Sequence, residues 1–192
     1  MKKRIISALL AVCLLVSLGT VGVFADGGVN PCEEDPCAHE AAFGDTHYAT
    51  LANAVAAANA SENGGTITLL KDVSVTLPEQ YNTGAYVITR DGVTIDGNGK
   101  TVTGTGTGDN CGHVFVVQAD NVTIQNLTIE GSEVARSGIQ AYGNVKNLKV
   151  TGVTSNNNFG YGLLVNNGAT VTASDFNSSG NGWGSVNVDG QS

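Results

Sequence analysis

The chain is poor in basic residues, and three of its nine, Lys2, Lys3 and Arg4, fall in the first four positions. Beyond them, six Lys and Arg face 17 Asp and Glu, a net charge of −11. A surface of that sign repels phosphate backbones and anionic headgroups, so nucleic acid and membrane surfaces are poor partners. Long apolar runs are missing as well, apart from the one behind the basic head, which opens Ile5-Ile6-Ser7-Ala8-Leu9-Leu10 and closes Val23-Phe24-Ala25. Ser17, Gly19, Thr20 and Gly22 dilute its second half, short of the ~20 apolar residues a membrane span needs. A secretory signal cut after a small residue fits instead. Residues 1–25 are read as a signal peptide, which puts the mature chain outside the cell or on its surface, with no membrane span of its own.

Cysteine is scarce too. Three remain after residue 25: Cys32, Cys37 and Cys111. Export permits a disulfide, and Cys32 with Cys37 is the candidate pair for a small loop, leaving one thiol over. Cys32, Cys37, His39 and His47 match no zinc spacing, so no metal site is expected.

Catalytic signatures are likewise absent. Asp96, Asp109, His113, Asp120, Glu130, Glu133 and Arg136 are the polar candidates for carboxylate or Ca²⁺ chemistry. They form no paired aspartates, no Gly-His-Gly and no Arg-x-Lys, and read as solvated loop charges. No catalytic residue and no cofactor is assigned; Ca²⁺ would enter only if the chain were an extracellular lyase or hydrolase.

What is present is a repeat. Residues 26–40, rich in Gly, Pro, Glu and Asp, read as a flexible acidic linker. A helix follows at about 50–61, with Thr50 as N-cap and Leu51, Ala54, Val55 and Ala58 on one stripe. From Gly65 the period changes to two. A first strand recurs as Ala85-Tyr86-Val87, Val114-Phe115-Val116, Ile139-Gln140-Ala141, Leu163-Leu164-Val165 and Val186-Asn187-Val188. A second recurs as Val93-Thr94-Ile95, Val122-Thr123-Ile124, Leu148-Lys149-Val150 and Val171-Thr172-Ala173. A strand pair that keeps its internal spacing while loops vary is the pattern of a solenoid, whose insertions lie outside the coils. Each coil buries too little to stand alone, and stacking at ~4.8 Å merges the inward side chains into one core. The expected fold is an all-β, right-handed parallel β-helix over 41–192, closed at its N-terminal end by the short helix. The chain stops at Val188-Asp189-Gly190-Gln191-Ser192, just past a first strand, so a C-terminally truncated piece of a longer protein is expected.

Val93-Thr94-Ile95-Asp96-Gly97-Asn98-Gly99-Lys100-Thr101-Val102 resembles the first full coil of pectate-lyase-like β-helix proteins. Gly44 to Ala58, running into Gly65-Thr66-Ile67-Thr68-Leu69-Leu70-Lys71-Asp72-Val73, is similar to N-terminal modules of large Gram-positive surface proteins. The resemblance implies a fold and leaves activity open, since β-helices host lyases, hydrolases, adhesins and stalks alike.

A non-catalytic structural or adhesive module is the function expected, with carbohydrate or cell wall as its partner and an extracellular polysaccharide lyase or glycoside hydrolase as the alternative. Alternation places Tyr86, Phe115, Gln140, Leu164 and Asn187 in one outward row, and Ile88, Val117, Tyr142, Asn166 and Asp189 in the next. Tyr86, Phe115, Gln140, Tyr142 and Asn166 are the ligand-binding candidates, as stacking or amide groups at coil spacing. Tyr161 and Trp183, each between glycines, are assigned to corner packing.

Overall fold

A computed structural model describes residues 28–29, 38–166 and 168–190. The expected signal peptide and the Cys32–Cys37 pair lie outside the described residues. In chain order the elements are β1 (Gly28–Val29), β2 (Ala41–Phe43), β3 (Thr46–Tyr48), α1 (Leu51–Ala60), β4 (Gly65–Leu69), β5 (Val73–Thr76), β6 (Gly84–Ile88), β7 (Val93–Asp96) and β8 (Thr101–Thr105). There follow β9 (His113–Val117), β10 (Thr123–Glu130), β11 (Ser137–Ala141), β12 (Leu148–Asn156), β13 (Tyr161–Asn166), β14 (Val171–Ser174), β15 (Asn177–Ser179) and β16 (Gly184–Asp189).

The strands wind into a parallel β-helix of about five coils. One sheet stacks β6, β9, β11, β13 and β16. The other carries β4, β7, β10, β12 and β14, and its bent long strands β10 and β12 also pair with β8 and β15. Side-chain rows follow from the register. Ile67, Ile95, Ile124 and Val150 stack in the core, as do Tyr86, Phe115, Ile139 and Leu163. A third inward row starts apolar with Val73, Val102 and Ile129, then turns to Ser155 and Ser178. The hydroxyls stay satisfied: Ser155 Oγ donates to the Gly162 carbonyl, and Ser178 Oγ to the Ser155 carbonyl.

The corners explain the asparagines. Asn98, Asn126 and Asp175 take φ of 50, 52 and 50°, and Gly152 takes 61°, at the bend that ends each first half of the larger sheet's coils. Asn and Asp tolerate that left-handed region better than other residues with a Cβ.

The N-terminal end is sealed by α1. Thr50 accepts a hydrogen bond from the Asn53 amide at 3.2 Å, and the Glu40 carboxylate accepts one from the Leu51 amide at 2.8 Å. Leu51, Ala54, Val55 and Ala58 press their stripe onto the core. The edge of β4 is occupied by antiparallel β2, then β3, and β1 pairs with β3 inside the stretch expected as linker. Both devices remove an open sheet edge. Replacing Thr50 by Ala should lower stability by about 1 kcal/mol, read as a small drop in thermal midpoint, because one first-turn amide loses its acceptor. No helix among the described residues is long and apolar enough to cross a membrane.

Candidate functional site

The register corrects the expected outward ladder. Tyr86 pairs with Phe115, as expected, but Phe115 pairs with Ile139 rather than Gln140. A one-residue slip moves every side chain to the opposite face. Tyr86 and Phe115 therefore lie in the core, at 3% and 0% exposure, their rings 5.3 Å apart. Ile88 and Val117, placed in the second outward row, are buried with them. Burial pushes the Tyr86 phenol far above its ordinary value, and the nearby Glu40 charge adds to this.

Gln140 sits between Val116 and Leu164 in register, buried but apart from the apolar core, and its Nε2 donates to Asn166 Oδ1 at 2.9 Å. Tyr142 is exposed and Asn166 half-exposed. The five candidates thus do not form one continuous surface platform.

Three of the seven polar candidates, Asp96, Asp120 and Glu130, serve the coils. Asp120 Oδ1 accepts from the Lys146 amide at 2.7 Å, and Asp91 Oδ1 from the Asp120 amide at 2.9 Å, each tying its coil to the next. Asp96 accepts from the Asn98 amide and from Gln125 Nε2, both at 2.8 Å. Partial burial opposes its ionisation, yet bonds from Gln125, the Asn98 amide and Asn126 outweigh it and hold the carboxyl below its ordinary value. Glu130 accepts from Asn157 Nδ2. Carboxylates committed to such bonds are structural caps.

Asp109, His113, Glu133 and Arg136 behave differently. They gather on the flank where loops lead into the strands of the smaller sheet. Arg136 immediately precedes β11, Gly160 precedes β13 and Trp183 precedes β16, and backbone bonds put the three in register: the Tyr161 amide donates to Arg136 O and the Trp183 amide to Gly160 O. The middle residue explains the contact. A Cβ at Gly160 would come 2.9 Å from the Trp183 ring and 2.3 Å from Arg136 O. Without one, side chains two coils apart can meet. The Arg136 guanidinium lies 5.0 Å over the Trp183 ring and 4.8 Å over the Tyr81 ring, and donates to Asn110 Oδ1 at 3.1 Å. A guanidinium over ring faces is favourable by roughly 0.5–2 kcal/mol per contact.

Trp183 also meets Phe159 and Tyr161 edge-on, at 5.3 and 5.5 Å between centroids. It is still 46% exposed, and Tyr81 is 55% exposed. Beside this column runs an open groove of about 460 Å³, lined by Asp109, Glu133, Asn158, Phe159, Gly180, Gly182 and Trp183. Glu133 reaches it from a turn whose φ is +60°, preceded by Ser132 at +50°. The corner packing expected of Trp183 is real, but half its surface faces solvent beside exposed carboxylates. The clue in the sequence was the position just before each first strand, where an Arg, a Gly and a Trp stand one coil apart.

Under the strap 78–83 lies His113, fully buried, its Nδ1 2.5 Å from Ser137 Oγ. Desolvation, with the Arg136 charge added, lowers the ring to about 4, against a weaker upward pull from the Tyr81 main chain. Cys111 is buried and free, its Sγ 3.3 Å from Gly108 O. Among the described residues no group of three His, Cys, Asp or Glu is placed to hold a metal ion. His39 and His47, part of the metal reading weighed above, have ring centroids 5.9 Å apart. Comparison with protein-family models, with curated proteins and with solved structures returns no match for this chain.

Proposed function

We propose that this is a secreted or surface-exposed, non-catalytic β-helix module that holds extracellular polysaccharide on its loop flank. The observation that carries the reading is the Tyr81–Arg136–Trp183 column, with two rings about half exposed beside a groove. Exposed rings offer flat apolar faces to sugar rings, and flanking carboxylates and amides accept hydroxyl hydrogen bonds. The rings stand along the coil axis, the direction in which an extended glycan chain would run. The charge of −11 disfavours anionic polymers, so neutral polysaccharide suits the surface better. Export is supported by the basic head and apolar run that open the chain. The non-catalytic reading is supported by the commitment of Asp96, Asp120 and Glu130 to backbone and side-chain caps.

Trp183→Ala should weaken retention on insoluble neutral polysaccharide at least tenfold, in line with a central aromatic anchor. Tyr81→Ala should weaken it several-fold. Loss of Tyr81, 55% exposed, should change the thermal midpoint little. Loss of the Trp183 contacts with Arg136, Phe159 and Tyr161 should lower it by a few degrees without unfolding the coils. Pull-down on a panel of neutral polysaccharides measures this, and unchanged retention by both variants would remove the proposal.

A further inference from the structure

His113 takes no part in the proposed contact with glycan, yet it sits beneath the groups that make it. The strap 78–83 closes over it through two backbone bonds, from the Gly112 amide to Pro78 O at 2.7 Å and from the His113 amide to Thr83 O at 2.8 Å. The ring is wholly enclosed. Its Nδ1 faces Ser137 Oγ, and that hydroxyl also donates to Ile139 O, which makes the facing nitrogen an unprotonated acceptor only if the hydroxyl turns. Nε2 is buried and makes no well-formed hydrogen bond, and the Tyr81 main chain offers the ring only a weak one, so a proton added there is poorly compensated in the closed structure.

The ionisable groups on the elements packed around the ring are few. Arg136, on the loop before β11, bears the one charge among the described residues that acts on it, and the sign is repulsive. Tyr81 comes from the strap, Cys111 from the approach to β9, and Tyr161 from the next coil in the same register row as Ser137. Asp109 and Glu133 stand at the groove rim. None of the acidic groups is bonded to the imidazole, so protonation would set a buried cation beside the guanidinium that Tyr81 and Trp183 hold.

We propose that His113 is an acid-sensitive latch: when its ring gains a proton, the strap 78–83 lifts, Arg136 leaves the two rings, and the flank loses its grip on ligand. The last part rests on the flank being the glycan-holding face; the opening itself does not. The sign follows from where the proton is preferred. The closed form holds the ring neutral down to about pH 4, whereas a released ring titrates near 6.5. Closure is therefore fully favoured above pH 6.5, and opening becomes about 150-fold more favourable as pH falls to 4. The strap yields before the coils because its side chains are mostly exposed and two backbone bonds hold it.

Trp183 is the single tryptophan of the chain, so its emission reports on the column without any ligand. Titrating the full chain from pH 7.5 to 4 should change that emission with a midpoint between 4 and 6.5, while far-UV circular dichroism stays constant. His113→Asn, which keeps an acceptor near Ser137, should flatten the emission change. His39→Gln with His47→Gln should leave it intact. Because the Asn variant changes a buried residue, a second reading is taken on the natural chain: after correction for intrinsic rates, the Gly112 and His113 amides should exchange faster at pH 5 while Ile129 and Val150 keep their protection. A pH-independent emission, a change that survives in a folded His113→Asn variant, or loss of circular dichroism at the same midpoint would each overturn the latch. Retention on polysaccharide should fall with the emission change. If retention is absent at every pH while the emission still switches, the latch stands and the glycan reading falls.

Discussion

Phe115→Ala should lower folding stability by about 3–5 kcal/mol, the range for emptying a fully buried phenylalanine site. Phe115 has no solvent exposure, packs on Tyr86 in the coil above, and precedes Ile139 in the same inward row. In a solenoid the coils share one core but touch only their neighbours, so nothing distant can refill the space. For a domain of this size the loss corresponds to roughly 10 °C in thermal midpoint, and it approaches the whole stability of many domains. Differential scanning calorimetry with a urea series would measure it. A loss below about 1 kcal/mol would mean that the side chain is not enclosed. The variant also separates packing from surface roles, since a solvent-facing phenylalanine would cost almost nothing on removal.

The second large effect is expected at a glycine that bears no unusual φ. A Cβ at Gly97 would stand 2.5 Å from Asn126 O and 2.7 Å from Leu127 Cα, both backbone atoms of the next coil. Neither can move without breaking the bond from the Gly97 amide to Gln125 O at 2.8 Å. Gly97→Ala should therefore cost about 3 kcal/mol, the upper part of the overpacking range. Two residues on, Gly99 has φ of 73° and open space around it. There Ala meets only the left-handed penalty of about 1 kcal/mol. Equal losses at the two positions would contradict this account of the corner.

The same corner shows how far the amino-acid order reads on its own. Asp96-Gly97-Asn98-Gly99 announces a turn, and the second-strand triplets around Ile95, Ile124, Val150 and Ala173 align in the register that the strands adopt. Those triplets follow turns of nearly constant length, so counting residues is enough. The first strands follow loops of unequal length, and counting failed there by one residue between Phe115 and Ile139. That slip exchanged inside for outside, and made buried rings look like a platform for ligand. An apolar row on either face of a narrow strand shows the same alternation, so composition does not distinguish the two.

The binding flank was harder still to see. Arg136, Gly160 and Trp183 are each unremarkable in sequence, and they matter because coil stacking sets them along one line with an empty place in the middle. Tyr81 joins them from a loop 55 residues before Arg136. His113 read as a loop residue beside charged neighbours, whereas the strap closes it off from water.

Periodicity and turn residues by themselves determined the parallel coils, the helix that closes one end and the acidic surface, because each arises from short-range spacing or summed charge. The tertiary structure alone decided which rows face inward, which carboxylates are used up as caps, and which aromatic rings stay open to solvent. Those outcomes depend on loop lengths that shift the register and on contacts between residues a coil or more apart, and neither is carried by any local pattern.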